Sequence, residues 1–200
     1  KAEKKIKKQR DENARQKEEI TDSIQYAKRL QKAIFPSKEL LRENLQEYFI
    51  LHLPKSIVSG DFYWMAKKMN KLVVAIADCT GHGVPGAFMS MLGISLLNKI
   101  VKEEDIFQPA QILNRMRKNV ILALHQTGKE GEASDGMDIS IFTFDKKNNE
   151  FYFAGAMNPI YLIRDNDIIE IKGNRFSIGR VEKDEYRKFE THSIPLKKKD

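Results

Sequence analysis

The spacing of hydrophobic and polar positions changes character along the chain. From Lys1 to about Ile34 there is no glycine or proline, and Ile6, Asn13, Ile20, Ala27 and Ile34 recur at every seventh residue, each of the first four followed three positions later by Gln9, Gln16, Ser23 or Leu30. This spacing predicts one long helix with a weak heptad seam. An Asn on such a seam fixes register in a parallel two-stranded coiled coil. The other reading is a single charged helix that lays its more apolar half, 20–34, on the following domain. Pro36 ends the helix, because its ring disfavours helical geometry at the residue before it, and Leu40, Leu41 and Leu45 suggest a short second helix. Past Tyr48 the pattern becomes extended, with strand-like stretches at 48–53, 61–66 and 72–78. Helical stretches at about 85–102 and 109–126 follow, and then further strand patterns at 139–144, 151–154, 160–163, 168–171 and 186–194. Strands, a helix pair and more strands, without regular βαβ alternation, predict an α+β fold with helices covering an antiparallel sheet or sandwich. The expected organisation is a helical linker at 1–36 and one globular domain at 37–200.

Composition narrows the function classes. The chain is 41% hydrophobic and 32% charged, as expected of a globular protein. No apolar run reaches the ~18 residues of a membrane span, and the basic N-terminus lacks the apolar core of a secretory signal. The expectation is no membrane segment within this chain and a cytoplasmic location. One cysteine, Cys79, excludes an internal disulfide and a multi-cysteine zinc site. The net charge of +7 is spread thinly, and its densest stretches, 1–10 and 197–199, carry no aromatic residues that could stack bases. They read as solvated ends, and no nucleic-acid partner is expected.

The chemistry concentrates in Ser59-Gly60-Asp61-Phe62-Tyr63-Trp64 and Ala77-Asp78-Cys79-Thr80-Gly81-His82-Gly83. If the two strands turn at Met69-Asn70, cross-strand partners have numbers summing to 139, and Asp61 faces Asp78. Directly opposed residues hold their Cβ atoms about 4.5–5.5 Å apart, where two carboxylates repel. Divalent cations that prefer oxygen ligands compensate such a pair. Taken singly, Asp61 reads as a strand-end residue and Asp78 as a cap on the glycine loop. Gly81 and Gly83 permit positive φ, so the loop can aim main-chain groups into a site. Val84-Pro85-Gly86-Ala87 then opens a helix whose small residues allow close packing, with proline in the first turn where it is tolerated. A main-chain role for Cys79 is favoured over a nucleophilic one, since no His/Asp arrangement is suggested around it. His82 reads either as a structural hydrogen-bonding residue or as an aid to proton transfer. Asp138, which begins a strand after Gly136, reads as a cap or turn residue rather than a metal ligand; His52, His125 and His192 read as background. Met89, Met91, Leu92, Leu96 and Leu97 read as core packing.

These two segments resemble the signatures of the SpoIIE/RsbU-type bacterial serine/threonine phosphatases, relatives of the PP2C (PPM) phosphatases. The resemblance extends to Ser23-Ile24-Gln25-Tyr26-Ala27 and Ile34-Phe35-Pro36 upstream, and to Asp135-Gly136-Met137-Asp138 and Ala154-Gly155-Ala156-Met157-Asn158-Pro159 downstream. It implies a PP2C-like antiparallel β-sandwich flanked by helices and preceded by a signalling helix. It also implies two Mn²⁺ or Mg²⁺ ions, with Asp61 binding one, Asp78 bridging both and the Cys79 carbonyl as a further ligand, supported by Gly81, His82 and Gly83. The implied activity is hydrolysis of phosphoserine or phosphothreonine by a water activated between two metals. The implied partner is a phosphorylated signalling protein, of anti-anti-sigma-like type, with homodimerisation through the N-terminal helix.

Two features depart from the family pattern. The Thr/Ser-Asp-Gly and Asp-Asp segments that complete the second metal site in members are absent from the 200 residues, and the common Ala-Gly-His-Asn-Pro turn is one residue longer and lacks its His. The corresponding expectation is a C-terminally incomplete domain whose 200 residues bind metal weakly and turn over little substrate. The alternative function is a non-catalytic, dimerising module that binds a phosphoprotein.

Overall fold

The computed structural model describes residues 2–129, 135–179 and 187–197. Helix α1 (Ala2–Ile34) runs unbroken to the Pro36 stop, and α2 (Lys38–Asn44) is capped by Ser37, whose Oγ accepts from the Leu40 N–H at 3.2 Å. Strands β1 (Phe62–Lys68) and β2 (Lys71–Cys79) form a hairpin turning at Met69-Asn70, with Met69 in the left-handed region at φ 53°. Their register pairs Phe62 with Ala77 and Lys68 with Lys71, as the complementary numbering requires. Helix α3 (Val84–Leu97) continues into a π-helical turn at Asn98–Glu103, and α4 (Pro109–Ala123) follows. The chain then forms β3 (Gly136–Asp145), β4 (Glu150–Ala156), β5 (Ile160–Arg164), β6 (Asp167–Ile171), β7 (Ile178–Gly179) and β8 (His192–Ile194).

Five strands make one antiparallel sheet in the order β1-β2-β3-β4-β8, with β7 added beside the start of β3. Strand alternation sorts the two faces. Phe62, Trp64, Ala66, Val73, Ala75, Ala77, Ile139 and Ile141 point into the main core with Ile94, Leu97, Ile112, Leu113 and Met116 from α3 and α4. Met65 and Leu72 lie in a second, smaller cluster with Leu41 of α2. Among the described residues, strands β5 and β6 pair only with each other, as a separate two-stranded hairpin. The mixed α+β expectation holds.

The structure differs from the sequence pattern in three places. Residues 48–53 form no strand: their extended apolar run is present, but no described strand pairs with them, and Phe49, Leu51 and Leu53 are 91%, 78% and 82% exposed. Of the stretch at 186–194, Tyr186 lies outside the described residues and only His192–Ile194 pairs, with β4. The segment Val84–Glu103 has the length and mean hydropathy, 1.4, to cross a bilayer. Half of it is buried in the domain, with Met89, Ile94, Leu97, Ile100 and Val101 in the core, as in a core-facing helix.

Helix α1 is attached to the domain by its C-terminal third. Thr21, Ile24, Ala27 and Lys28 are half-buried and Gln31 is buried, whereas Ile6 and Ile20 of the heptad seam remain 69% and 61% exposed. Its end therefore lies on the domain, as the single-helix reading expects, while most of the seam stays open. Gln31 makes the attachment specific. Its Nε2 donates to the Ser59 carbonyl at 2.7 Å and to Ser90 Oγ at 2.8 Å, and its Oε1 accepts from the Ser59 N–H at 3.0 Å. One amide thereby satisfies both main-chain groups of Ser59 and links α1 to α3. Gln31→Leu, which keeps the bulk but strands these groups, should cost about 1–3 kcal/mol in urea unfolding. An unchanged midpoint would show that water replaces the amide without loss.

Candidate metal centre

Extending the hairpin by one residue pair beyond Phe62 and Ala77 sets Asp61 against Asp78. Asp78 is held above its ordinary value, first by partial desolvation, then by the adjoining Asp61 carboxyl and its charge, and last by the charge of Asp138. The sequence therefore folds two like charges onto one site, at the open end of the sheet.

Asp138 corrects an expectation. It is the third residue of β3 and pairs directly with Asp78 across the β2–β3 ladder, so it neither caps a helix nor turns the chain. Its Oδ1 accepts from Ser177 Oγ at 2.5 Å. Among the described residues, no group of three or more His, Cys, Asp or Glu side chains is placed to hold an ion together. The Asp61–Asp78 pair is the core of the site.

The loop after β2 adopts the backbone that its glycines allow. Gly81 and Gly83 have φ of 85° and 67°. A Cβ on Gly86 would stand 2.6 Å from the Gly81 oxygen and 3.0 Å from Gly60 Cα, and a Cβ on Gly60 would stand 2.8 Å from the Gly81 oxygen. Three glycines thus interlock the approach to β1, the loop and the first turn of α3. Thr80 ties the loop to β3, donating its N–H to the Gly136 carbonyl at 2.9 Å and accepting the Gly136 N–H on Oγ1 at 3.1 Å. Helix α3 starts after Gly83 with no side-chain cap, leaving the positive end of its dipole beside the loop.

Cys79 is buried, and burial, followed by the charges of Asp78 and Asp61, pushes its thiol far above its usual value. The sulfur stays protonated, consistent with a main-chain role. Its carbonyl oxygen lies 3.3 Å from the position of a Cβ on Gly60, close to the backbone that leads into Asp61. His82 is exposed, and its Nδ1 is 3.5 Å from Ser56 Oγ.

Asp61 and Asp78 line a cavity of about 360 Å³ with Asn158 and an apolar wall that includes Phe49, Leu51 and Ile76. The longer turn is absorbed by Met157 at φ 62°, whose N–H donates to the Asn174 carbonyl at 2.8 Å. His52, taken as background from sequence, sets its Nε2 3.1 Å from Ser59 Oγ, and its ring packs against Phe35 and Tyr63. Gln31 and Ser90 also support this backbone; a lone Gln and a lone Ser on helices carry no signal by which the sequence alone would have singled them out.

The family described as Stage II sporulation protein E (SpoIIE) matches residues 68–200. The phosphoserine phosphatase RsbU of Bacillus subtilis is 24% identical over 181 residues, covering 88% of this chain and 50% of RsbU. The SiaA-PP2C domain of Pseudomonas aeruginosa superposes with a TM-score of 0.78 at 29% identity, covering 90% of this chain and 69% of that one. The PP2C phosphatase domain of SpoIIE from Bacillus subtilis, solved with a fragment of its regulatory domain, gives 0.55 at 27% identity over 70% of this chain and 38% of that one. The chain thus spans half the length of the curated relative that it matches.

In the metal-free protein, the raised pKa of Asp78 means that the native state holds this proton more tightly than the unfolded chain does. The ionised pair opposes folding above the ordinary carboxylate range, and that penalty fades as pH falls through it. Asp78→Asn should therefore raise metal-free stability at about pH 7 by up to ~1 kcal/mol, after allowance for solvent screening. The gain should shrink towards about pH 4. Urea unfolding of both proteins at the two pH values measures it, and a less stable variant at neutral pH would show that the carboxylates do not repel.

Proposed function

Because the chain belongs to the Stage II sporulation protein E (SpoIIE) family, we propose that the protein is a metal-dependent serine/threonine phosphatase of bacterial signalling that acts in the cytoplasm. Its Mn²⁺ or Mg²⁺ is held by Asp61, Asp78 and the Cys79 carbonyl. The observation that carries this reading is the convergence of two facing carboxylates on one cavity. The donor set fits. Carboxylate and carbonyl oxygens suit Mg²⁺ and Mn²⁺, and Mg²⁺ is commonly held by one or two carboxylates with water completing its shell. Two ions in the complete domain would need further ligands beyond this pair.

Bound cations would supply positive charge against the phosphoryl oxygens and acidify a water molecule. The chain's own residues do the rest. Asp61 and Asp78 would turn their carboxylate oxygens to the cation from the two strands of the hairpin. The apolar wall of Phe49, Leu51 and Ile76 accepts the residues flanking the phosphorylated one. Gln31, through Ser59, fixes the backbone that aims Asp61. The name of RsbU, a phosphoserine phosphatase, supports phosphoserine as the substrate group; an anti-anti-sigma-like protein is the partner that the family resemblance implies. A non-catalytic phosphoprotein-binding module is the second reading, favoured because no group of three or more His, Cys, Asp or Glu side chains is placed to hold an ion among the described residues.

The full-length protein with Mn²⁺ should release phosphate from a phosphoserine peptide, and Asp78→Asn should lower the rate at least about a hundredfold, since the charge that holds the ions is worth several kcal/mol. Turnover that persists in both EDTA and the variant would refute the mechanism. Tight peptide binding without turnover would favour the second reading.

The exposed seam of α1 supports parallel dimerisation. Asn13→Ile should then tighten association about tenfold or more in sedimentation experiments, by removing a polar residue from an apolar seam. Monomers of both versions at all concentrations would exclude the dimer.

A further inference from the structure

A groove of about 870 Å³ runs along α4 and shares no lining residue with the carboxylate cavity. Its charge has one sign: Arg115, Arg117, Lys118, Arg187 and Lys188 line it, and none of the lining residues is acidic. The wall formed by the 187–190 stretch is fixed to the helix, with the Phe189 N–H donating to Asn114 Oδ1 at 3.1 Å and the Phe189 ring packed on Phe176 at 4.3 Å.

Arg117 is only 7% exposed. Its guanidinium lies over the Phe176 ring at 5.2 Å and Nη1 donates to the Arg187 carbonyl at 3.3 Å, but Nε is buried without a hydrogen-bond partner and no carboxylate pairs with the group among the described residues. A buried cation without a counter-charge is costly, so an anion entering the groove gains a strong partner. Lys118 and Lys188 likewise form no ion pair among the described residues, whereas Arg115 is held by Glu104 at 2.9 Å.

The arrangement selects the kind of anion. Arg115, Lys118 and Leu122 succeed one another along one stripe of α4, about 10 Å in length, and Ile106 and Ile121 add apolar surface to the same groove. Leu122 is 61% exposed. Cations interleaved with apolar side chains along a line suit a chain that carries both, whereas a lone phosphate would call for donors converging on one point. We propose that this groove docks an acidic, amphipathic segment of a protein partner, with its carboxylates on Lys118, Lys188 and Arg117 and its apolar face on Ile121 and Leu122. The proposal does not rest on the phosphatase reading.

The test uses fluorescence anisotropy of the full-length protein with a labelled synthetic peptide of Glu and Leu at helical spacing, its Gln-for-Glu counterpart, a single-stranded RNA oligonucleotide and pyrophosphate as competitor. The acidic peptide should bind, and added salt should weaken it. Lys118→Glu combined with Lys188→Glu should reduce its affinity at least about tenfold, while circular dichroism and thermal unfolding stay unchanged. Equal binding of the Gln peptide, equal binding by the double variant, tighter binding of RNA, or displacement of the peptide by equimolar pyrophosphate would each overturn the proposal. Phosphopeptide hydrolysis is read in a separate assay, so failure of one reading leaves the other standing.

Discussion

Two carboxylates that repel each other are held together by a strand register. The β1–β2 hairpin could slip by a residue only by exchanging its buried Phe62, Trp64, Ala77 and Ala75 for the side chains of the opposite face. Core packing therefore overrides the local electrostatic preference and keeps Asp61 beside Asp78, where partial burial and the neighbouring charge raise the Asp78 pKa. In the proposed function a divalent cation would relieve that repulsion, and the energy stored in folding the pair together would return as a driving force for binding metal.

The rest of the site serves to hold that pair against something. Gly60, Gly81 and Gly86 approach so closely that a side chain at Gly60 or Gly86 would collide with main-chain oxygen, locking the loop and α3 to the segment before β1. Gln31 extends this lock to α1, since one buried amide accounts for both main-chain groups of Ser59, two residues before Asp61. The helix that carries an open heptad seam at one end is thus joined by hydrogen bonds to the backbone that aims a carboxylate at the other. A change at the seam that shifts α1 along its axis would be felt first at Ser59.

Much of this was legible in the sequence because it obeys short periods. The hairpin register followed from the turn at Met69-Asn70, and the positive φ of Gly81 and Gly83 from residue type. The helix boundaries at Pro36 and Pro109 were marked by proline. The misses share one cause, which is dependence on partners distant in sequence. Residues 48–53 are apolar as a buried strand would be, yet a strand exists only where another pairs with it. Asp138 looked like a turn residue because Gly136, two residues before it, is locally a breaker, whereas the β2–β3 ladder draws Gly136 into the strand and brings Asp138 beside Asp78. Gln31 and His52 gained their roles only when α1 and the segment before β1 came to rest against the same serine.

Anomalous diffraction from crystals grown with Mn²⁺ tests the central claim most directly. The account predicts a manganese peak with one oxygen of Asp61 and one of Asp78 in its coordination shell, at about 2.0–2.3 Å, and no such peak in crystals of Asp78→Asn. Manganese bound elsewhere with both carboxylates unligated, or a peak that survives the substitution unchanged, would contradict it.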